Sequence, residues 1–155
     1  MSHQVFRDQL ARLLVSPNAH ISMRDALKDF PSDLRGRAVA GLPHTAWQLL
    51  EHIRICQWDV LEYSRNADHV SPEWPDGYWP DSVEPPDEIA WDQSVETVIA
   101  EMEELAATAL DETIDALEGF AWAPEHNLMR EIAIIAKHNS YHLGQLMMIR
   151  KADGH

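Results

Sequence analysis

The 155-residue sequence predicts an all-α protein organised as a four-helix bundle. Four long segments carry apolar residues at three- and four-residue steps, which is the period of an amphipathic helix. Proline and glycine mark the connections between these segments. Few segments alternate apolar and polar residues with period two, so we expect no sheet. The length is typical of a single domain, which we expect to span residues 1–155.

The first half of the chain predicts two helices that precede a long one. The first covers about residues 3–15. A short helix is predicted over about residues 23–28, where Ser22 before the helix and Asp25 in its first turn have the spacing of a capping box. The long helix then covers about residues 45–66.

The second half predicts a proline-rich loop and two further long helices. Residues 71–86 hold five prolines among three aromatic residues, which is typical of an ordered loop that packs against the protein. A helix is predicted over about residues 88–109, extended by a short piece to Leu117. The last helix covers about residues 128–151.

The charge of the chain argues against binding to nucleic acid. The formal net charge is −14, and residues 66–129 contain 17 Asp and Glu but no Lys or Arg. Such a surface repels a phosphate backbone, and no basic stripe elsewhere compensates for it. We interpret the acidic residues as a solvated face that maintains solubility.

The sequence favours a cytoplasmic protein. It has no run of 18 apolar residues that would span a membrane, and its N-terminus lacks the basic and apolar pattern of a signal peptide. The single cysteine, Cys56, excludes an internal disulfide and a cysteine-based zinc site.

The sequence HNSYH in the last predicted helix is the strongest functional signal. His138 and His142 are four residues apart, so on a helix they lie one above the other and can reach one divalent metal. Both lie on or beside the predicted apolar face, where an unpaired imidazole is costly. Taken alone, the spacing is equally compatible with two separately satisfied histidines.

His52 is the candidate third ligand. It lies mid-helix in the predicted helix 45–66, with the apolar neighbours Leu49 and Ile55 on its face. A lone histidine there is more often a satisfied core residue, but helical bundles build metal sites from side chains on facing helices. Three neutral imidazoles suit Zn, Ni, Fe or Cu and leave a position for water or substrate, as in catalytic sites.

Other site types fit the sequence poorly. A zincin requires Glu directly after the first histidine, where this chain has Asn139. Di-iron bundles require Glu-x-x-His motifs, of which the chain has none. Cys56, four residues after His52, is either a soft ligand or a buried inert thiol, and we favour the latter. His44 and His126 precede predicted helices and are interpreted as surface residues.

Two runs resemble the DinB-like (DinB/YfiT) family of metal-binding proteins. They are IAIIAKHNSYHLGQL at residues 132–146 and PHTAWQLLEH at residues 43–52. The resemblance implies an up-down-down-up four-helix bundle that is usually dimeric. It also implies a divalent metal, often nickel or zinc, held by three histidines that correspond to His52, His138 and His142.

The resemblance leaves three functions open. Characterised relatives include S-transferases that use low-molecular-weight thiols, a maleylpyruvate isomerase and members called hydrolases. A hydrolase favours a carboxylate base beside the metal, and neither Glu51 nor Asp59 is convincingly placed for that role. We therefore favour a thiol-dependent transferase or isomerase acting on a small-molecule electrophile. A metal-dependent hydrolase and a non-enzymatic metal-binding or stress-related protein are the alternatives.

Overall fold

A computed structural model describes residues 2–152 and confirms the all-α prediction. Its helices are α1 (Ser2–Val15), α2 (Met23–Leu27), α3 (Ala46–Arg65), α4 (Ala90–Leu110) and α5 (Leu128–Lys151). Short 3₁₀ turns lie at Ser32–Leu34 and Asp76–Tyr78. No helix within the described residues has the length and apolarity needed to cross a lipid bilayer.

The start of α3 is fixed by a reciprocal capping box. The Thr45 side chain accepts from the backbone N–H of Gln48, and the Gln48 side chain accepts from the backbone N–H of Thr45. These bonds satisfy donors that the first turn of a helix leaves unpaired. The register of α3, and with it the position of His52, is therefore set from this end.

Two expectations for residues 111–127 are wrong. The helix ends at Leu110 and does not extend to Leu117, because the Asp111 side chain accepts from the backbone and hydroxyl of Thr113 and stabilises a turn. A small antiparallel hairpin follows, formed by β1 (Gly119–Phe120) and β2 (Ala123–Asn127). These strands are too short to show a period of two in the sequence.

Helices α3 and α4 run parallel to each other. Near the start of both, Ser94 donates to Glu51 at 2.6 Å, and near the end of both, Arg65 donates to Glu104 at 2.5 Å. Parallel helices need a connection that returns along the bundle. Residues 66–89 provide that connection and pass the start of α3.

Helix α5 runs antiparallel to α3. His138, in the middle of α5, lies beside His52 of α3. His126, just before α5, has its Nδ1 2.7 Å from the hydroxyl of Tyr63, near the end of α3. Helix α1 runs antiparallel to α4, since Arg7 donates to the Ala109 carbonyl at 3.0 Å. The bundle is therefore up-down-down-up, as the resemblance implied.

The core is formed where the four long helices meet. One cluster surrounds the buried indoles of Trp47 and Trp91 near the start of α3. A second surrounds Leu61, Leu105 and Ile132 towards its end. The three candidate histidines lie along the contact between α3 and α5, beside both clusters.

Candidate metal centre

The structure brings the three predicted histidines together. Ligand atoms of His52, His138 and His142 all lie within 4.8 Å of one another. The Nε2 atoms of His52 and His138 are 3.0 Å apart. His52 and His142 are buried and His138 is half-buried. A cluster of this kind could hold a metal ion.

Two of the histidines use Nδ1 as a hydrogen-bond donor to a neighbouring oxygen. The Nδ1–H of His52 donates to the backbone carbonyl of Tyr78 at 2.7 Å. The Nδ1–H of His142 donates to Oε1 of Gln145 at 2.6 Å. Such bonds fix the tautomer and the orientation of the ring, and they leave Nε2 with a free lone pair.

His138 belongs to a buried polar chain that leads away from the cluster. Its Nδ1 lies 3.4 Å from Oδ1 of Asn139, at the long end of a hydrogen bond. The Asn139 amide donates to Gln57 at 3.0 Å, and the Gln57 amide donates to the Val98 carbonyl at 2.8 Å. Asn139 and Gln57 are both buried, so each bond avoids the cost of an unpaired amide.

The spacing between Nε2 of His52 and Nε2 of His138 can be compared with the spacing of two nitrogen ligands on one metal ion. Because Nδ1 of His52 holds the proton, Nε2 of His52 carries a lone pair, and the Nδ1–H tautomer of His138 directs a second lone pair to the same place. A cation between two such lone pairs removes the repulsion between them. Metal–nitrogen bonds of about 2.0–2.1 Å with angles near 90–110° separate two ligand nitrogens by roughly 3 Å. The donor set and its spacing therefore fit a divalent ion.

The surroundings favour neutral imidazoles. Burial is the largest effect, and it lowers the pKa of His52, His138 and His142 because a charged ring loses hydration. Repulsion from His142 and His52 lowers the pKa of His138 further, to about 4. Neutral imidazole is the form that binds metal.

Sequence analysis missed the aromatic cover of the cluster. The Trp79 indole stacks on the His52 ring, with centroids 3.8 Å apart and planes 1° from parallel. His44 also stacks on Trp79, with ring centroids 4.1 Å apart. Repulsion from His44 is a smaller contribution to the lowered pKa of both His52 and His142. His44 is therefore part of the site and not only a residue that precedes a helix.

A second group of side chains holds this loop against α3. The Tyr78 hydroxyl donates to Oδ2 of Asp59 at 2.8 Å, and Nε2–H of His69 donates to Oδ1 of Asp59 at 2.7 Å. Burial and the Asp59 carboxylate raise the pKa of Tyr78 to about 12, which keeps the hydroxyl protonated as a donor. Loop residues 71–86 therefore pack against the protein as predicted.

Three other residues near the histidine cluster, Glu51, Cys56 and Tyr141, have different contacts or a different protonation state from a metal ligand or base. Glu51 points towards α4, where it accepts from Ser94 and Arg54. Burial raises the pKa of Cys56 to about 12, so its thiol stays protonated although Sγ lies 3.6 Å from Nδ1 of His52. Tyr141 is two-thirds exposed and contacts His142 edge to face.

The up-down-down-up bundle and the histidine cluster together define a helical protein with a candidate metal-binding centre. The family model of the DinB superfamily matches residues 20–146. The chain therefore belongs to the DinB superfamily. Neither the curated proteins nor the solved structures gave a significant match.

Proposed function

We propose that the protein is a metal-dependent enzyme whose divalent ion, nickel or zinc, is held by Nε2 of His52, His138 and His142. One observation carries this proposal. The Nε2 atoms of His52 and His138 lie 3.0 Å apart, while Nδ1 of His52 is committed to the Tyr78 carbonyl. Nε2 of His52 therefore carries a lone pair directed at His138, and in its Nδ1–H tautomer His138 directs a second lone pair to the same point.

The reaction we favour is transfer of a low-molecular-weight thiol to a small-molecule electrophile, or an isomerisation that uses such a thiol. The ion would supply Lewis acidity, lowering the pKa of a thiol or of a water molecule beside it. In the transfer, sulfur bonds to the electrophilic carbon, the leaving group departs with the bonding electrons, and the thiol proton passes to solvent. Abundant reduced thiols agree with the cytoplasmic location we propose.

The carboxylates around the cluster support thiol chemistry over hydrolysis. Glu51 is hydrogen-bonded to Ser94 and Arg54, and both oxygens of Asp59 accept bonds from Tyr78 and His69. Neither is available as a base beside the three histidines. A thiol that ionises at the metal needs no such base.

Metal-dependent hydrolysis is the second candidate, and the position of His44 favours it. Its ring stacks on Trp79, the same indole that stacks on His52. A neutral histidine that reaches the attacking water, directly or through a second water molecule, would accept its proton. A third outcome is a metal that stabilises the bundle and catalyses nothing.

Metal content tests the site itself. We expect tag-free protein to contain one divalent ion per chain by elemental analysis, and His52→Ala and His138→Ala to lose it. His3→Ala is the matched control, because His3 is exposed on α1. We expect the His3→Ala variant to retain the ion. Full retention of metal in His52→Ala or His138→Ala would disprove the three-histidine centre.

Turnover tests the reaction. We would screen small electrophiles with and without glutathione, bacillithiol or mycothiol, using His138→Ala as the metal-free control. Consumption that requires the thiol supports transfer or isomerisation. Cleavage of an ester or amide without thiol supports hydrolysis. Absence of both, with a lower melting temperature on metal removal, supports a structural metal.

We also propose that the protein forms a homodimer. On α5 the side chains of Tyr141 and Met148 are exposed, and Gly144 lies between them on the same face. Burial of such a stripe against a second copy would remove apolar surface from water. Light scattering after size exclusion should give twice the chain mass, and a mass of one chain at micromolar concentration would contradict it.

A further inference from the structure

A surface cleft lies on the opposite side of α5 from the histidine cluster. It has a volume of about 310 Å³ and is bordered by α1, the segment before α2, α4 and α5. Its buried floor is apolar and includes Leu14, Met23, Met102 and Leu143. This volume and this lining are in the range of small-molecule sites.

The rim of this cleft is polar and carries a positive charge. Lys137 lines it and has no carboxylate partner among residues 2–152. None of the fifteen lining residues is Asp or Glu, although 26 of the 155 residues of the chain are acidic. The cleft therefore combines an apolar interior with one cationic side chain, Lys137, at its rim.

The rim is held in place before any ligand binds. Nε2 of His20 lies 2.9 Å from Oγ of Ser140, and Nδ1–H of His20 donates to the Ile21 carbonyl at 2.8 Å. These bonds attach the segment between α1 and α2 to α5. A fixed rim lowers the entropy lost on binding.

We propose that this cleft binds a small carboxylate with an apolar tail, such as a medium-chain fatty acid. The tail would lie on the leucine and methionine floor, and the carboxylate would pair with Lys137 at the rim. The proposal does not depend on the metal-dependent reaction, since Lys137 and the floor residues are not part of the histidine cluster. The lining also includes one buried polar residue, Asn139, which contacts His138.

Calorimetric titration with octanoate, and with 1-octanol as the neutral analogue, tests the proposal on the full chain. We expect octanoate to bind at least about threefold more tightly than octanol, the effect of one partly exposed ion pair. Lys137→Gln should abolish that preference. Lys151→Gln is the matched control, because Lys151 is an exposed lysine on the same helix that does not line this cleft.

The position of the ligand is tested by Ala136→Phe, which should fill the cleft and weaken both ligands at least about tenfold. Lys137→Gln changes only an exposed side chain and should fold. The octanoate preference of that variant therefore still tests the proposal if Ala136→Phe fails to fold. The titration is repeated after EDTA treatment, since a carboxylate can also bind a metal. Equal affinity for octanoate and octanol, equal effects of the two lysine variants, or binding that EDTA removes would each overturn the proposal.

Discussion

The Nδ1–H of His52 donates to the backbone carbonyl of Tyr78, and the Tyr78 hydroxyl in turn donates to Asp59, two helical turns after His52. Helix α3 thus supplies both a candidate ligand and the carboxylate that holds the loop orienting that ligand. The direction in which His52 presents Nε2 depends on this closed set of bonds. Hydrogen bonds of this kind around a ligand tune metal affinity.

Removal of the loop anchor should weaken the metal site without removing a ligand. In Asp59→Ala the Tyr78 hydroxyl and the His69 ring lose their acceptor, and the loop no longer fixes His52. We expect the dissociation constant for zinc to rise about tenfold or more. Competition with a chromophoric chelator measures it. Asp68→Ala removes an exposed carboxylate from the same connection and should bind zinc like the parent chain.

The helical period predicts that the three histidines can meet between two helices, and the resemblance to the DinB-like family implies that they are ligands. His138 and His142 lie one turn apart on a helix whose bounds, residues 128–151, the sequence placed correctly. His52 was found because it lies mid-helix among apolar neighbours on a second long helix. In a bundle, such positions must face another helix.

The cover of the site could not be predicted in the same way. Trp79 and Tyr78 belong to an irregular loop, whose path follows from turns and tertiary contacts and not from a period. His44 is linked to the site through Trp79, which stacks on both His44 and His52. The helical period also places Asp59 two turns from His52 but does not reveal its partners, Tyr78 and His69, which belong to the irregular connection 66–89.

Loss of the acceptor at Gln145 should loosen His142. Gln145→Leu leaves Nδ1 of His142 without its 2.6 Å partner, so the ring can change tautomer and rotate. We expect zinc to bind about tenfold more weakly by chelator competition. Gln145→Glu keeps an acceptor and makes the ring more basic, so affinity should be at least that of the parent. Equal affinities for Gln145→Leu and the parent chain would contradict the proposed orientation.

Gln57 should matter for folding stability more than for metal affinity. It is fully buried, and it links Asn139 to the Val98 carbonyl. Gln57→Leu leaves the Asn139 amide without a buried acceptor, and we expect the free energy of unfolding to fall by about 1–3 kcal/mol. Urea denaturation measures it. Gln93→Leu, at an exposed position on α4, should change it by less than about 0.5 kcal/mol.

The metal-free protein should lose stability as the pH falls from 7 to 5. Burial lowers the pKa of the clustered histidines, to about 4 for His138 against 6.5 in the unfolded chain. Between these values the unfolded state binds more protons, so acid favours unfolding. His138→Gln should flatten the dependence by at most about 1.4 kcal/mol per pH unit. Urea denaturation in EDTA at several pH values measures it, with the exposed His3→Gln as control. If the free energy of unfolding has the same pH dependence in His138→Gln and His3→Gln, the pKa of His138 is not lowered by folding and the prediction is wrong.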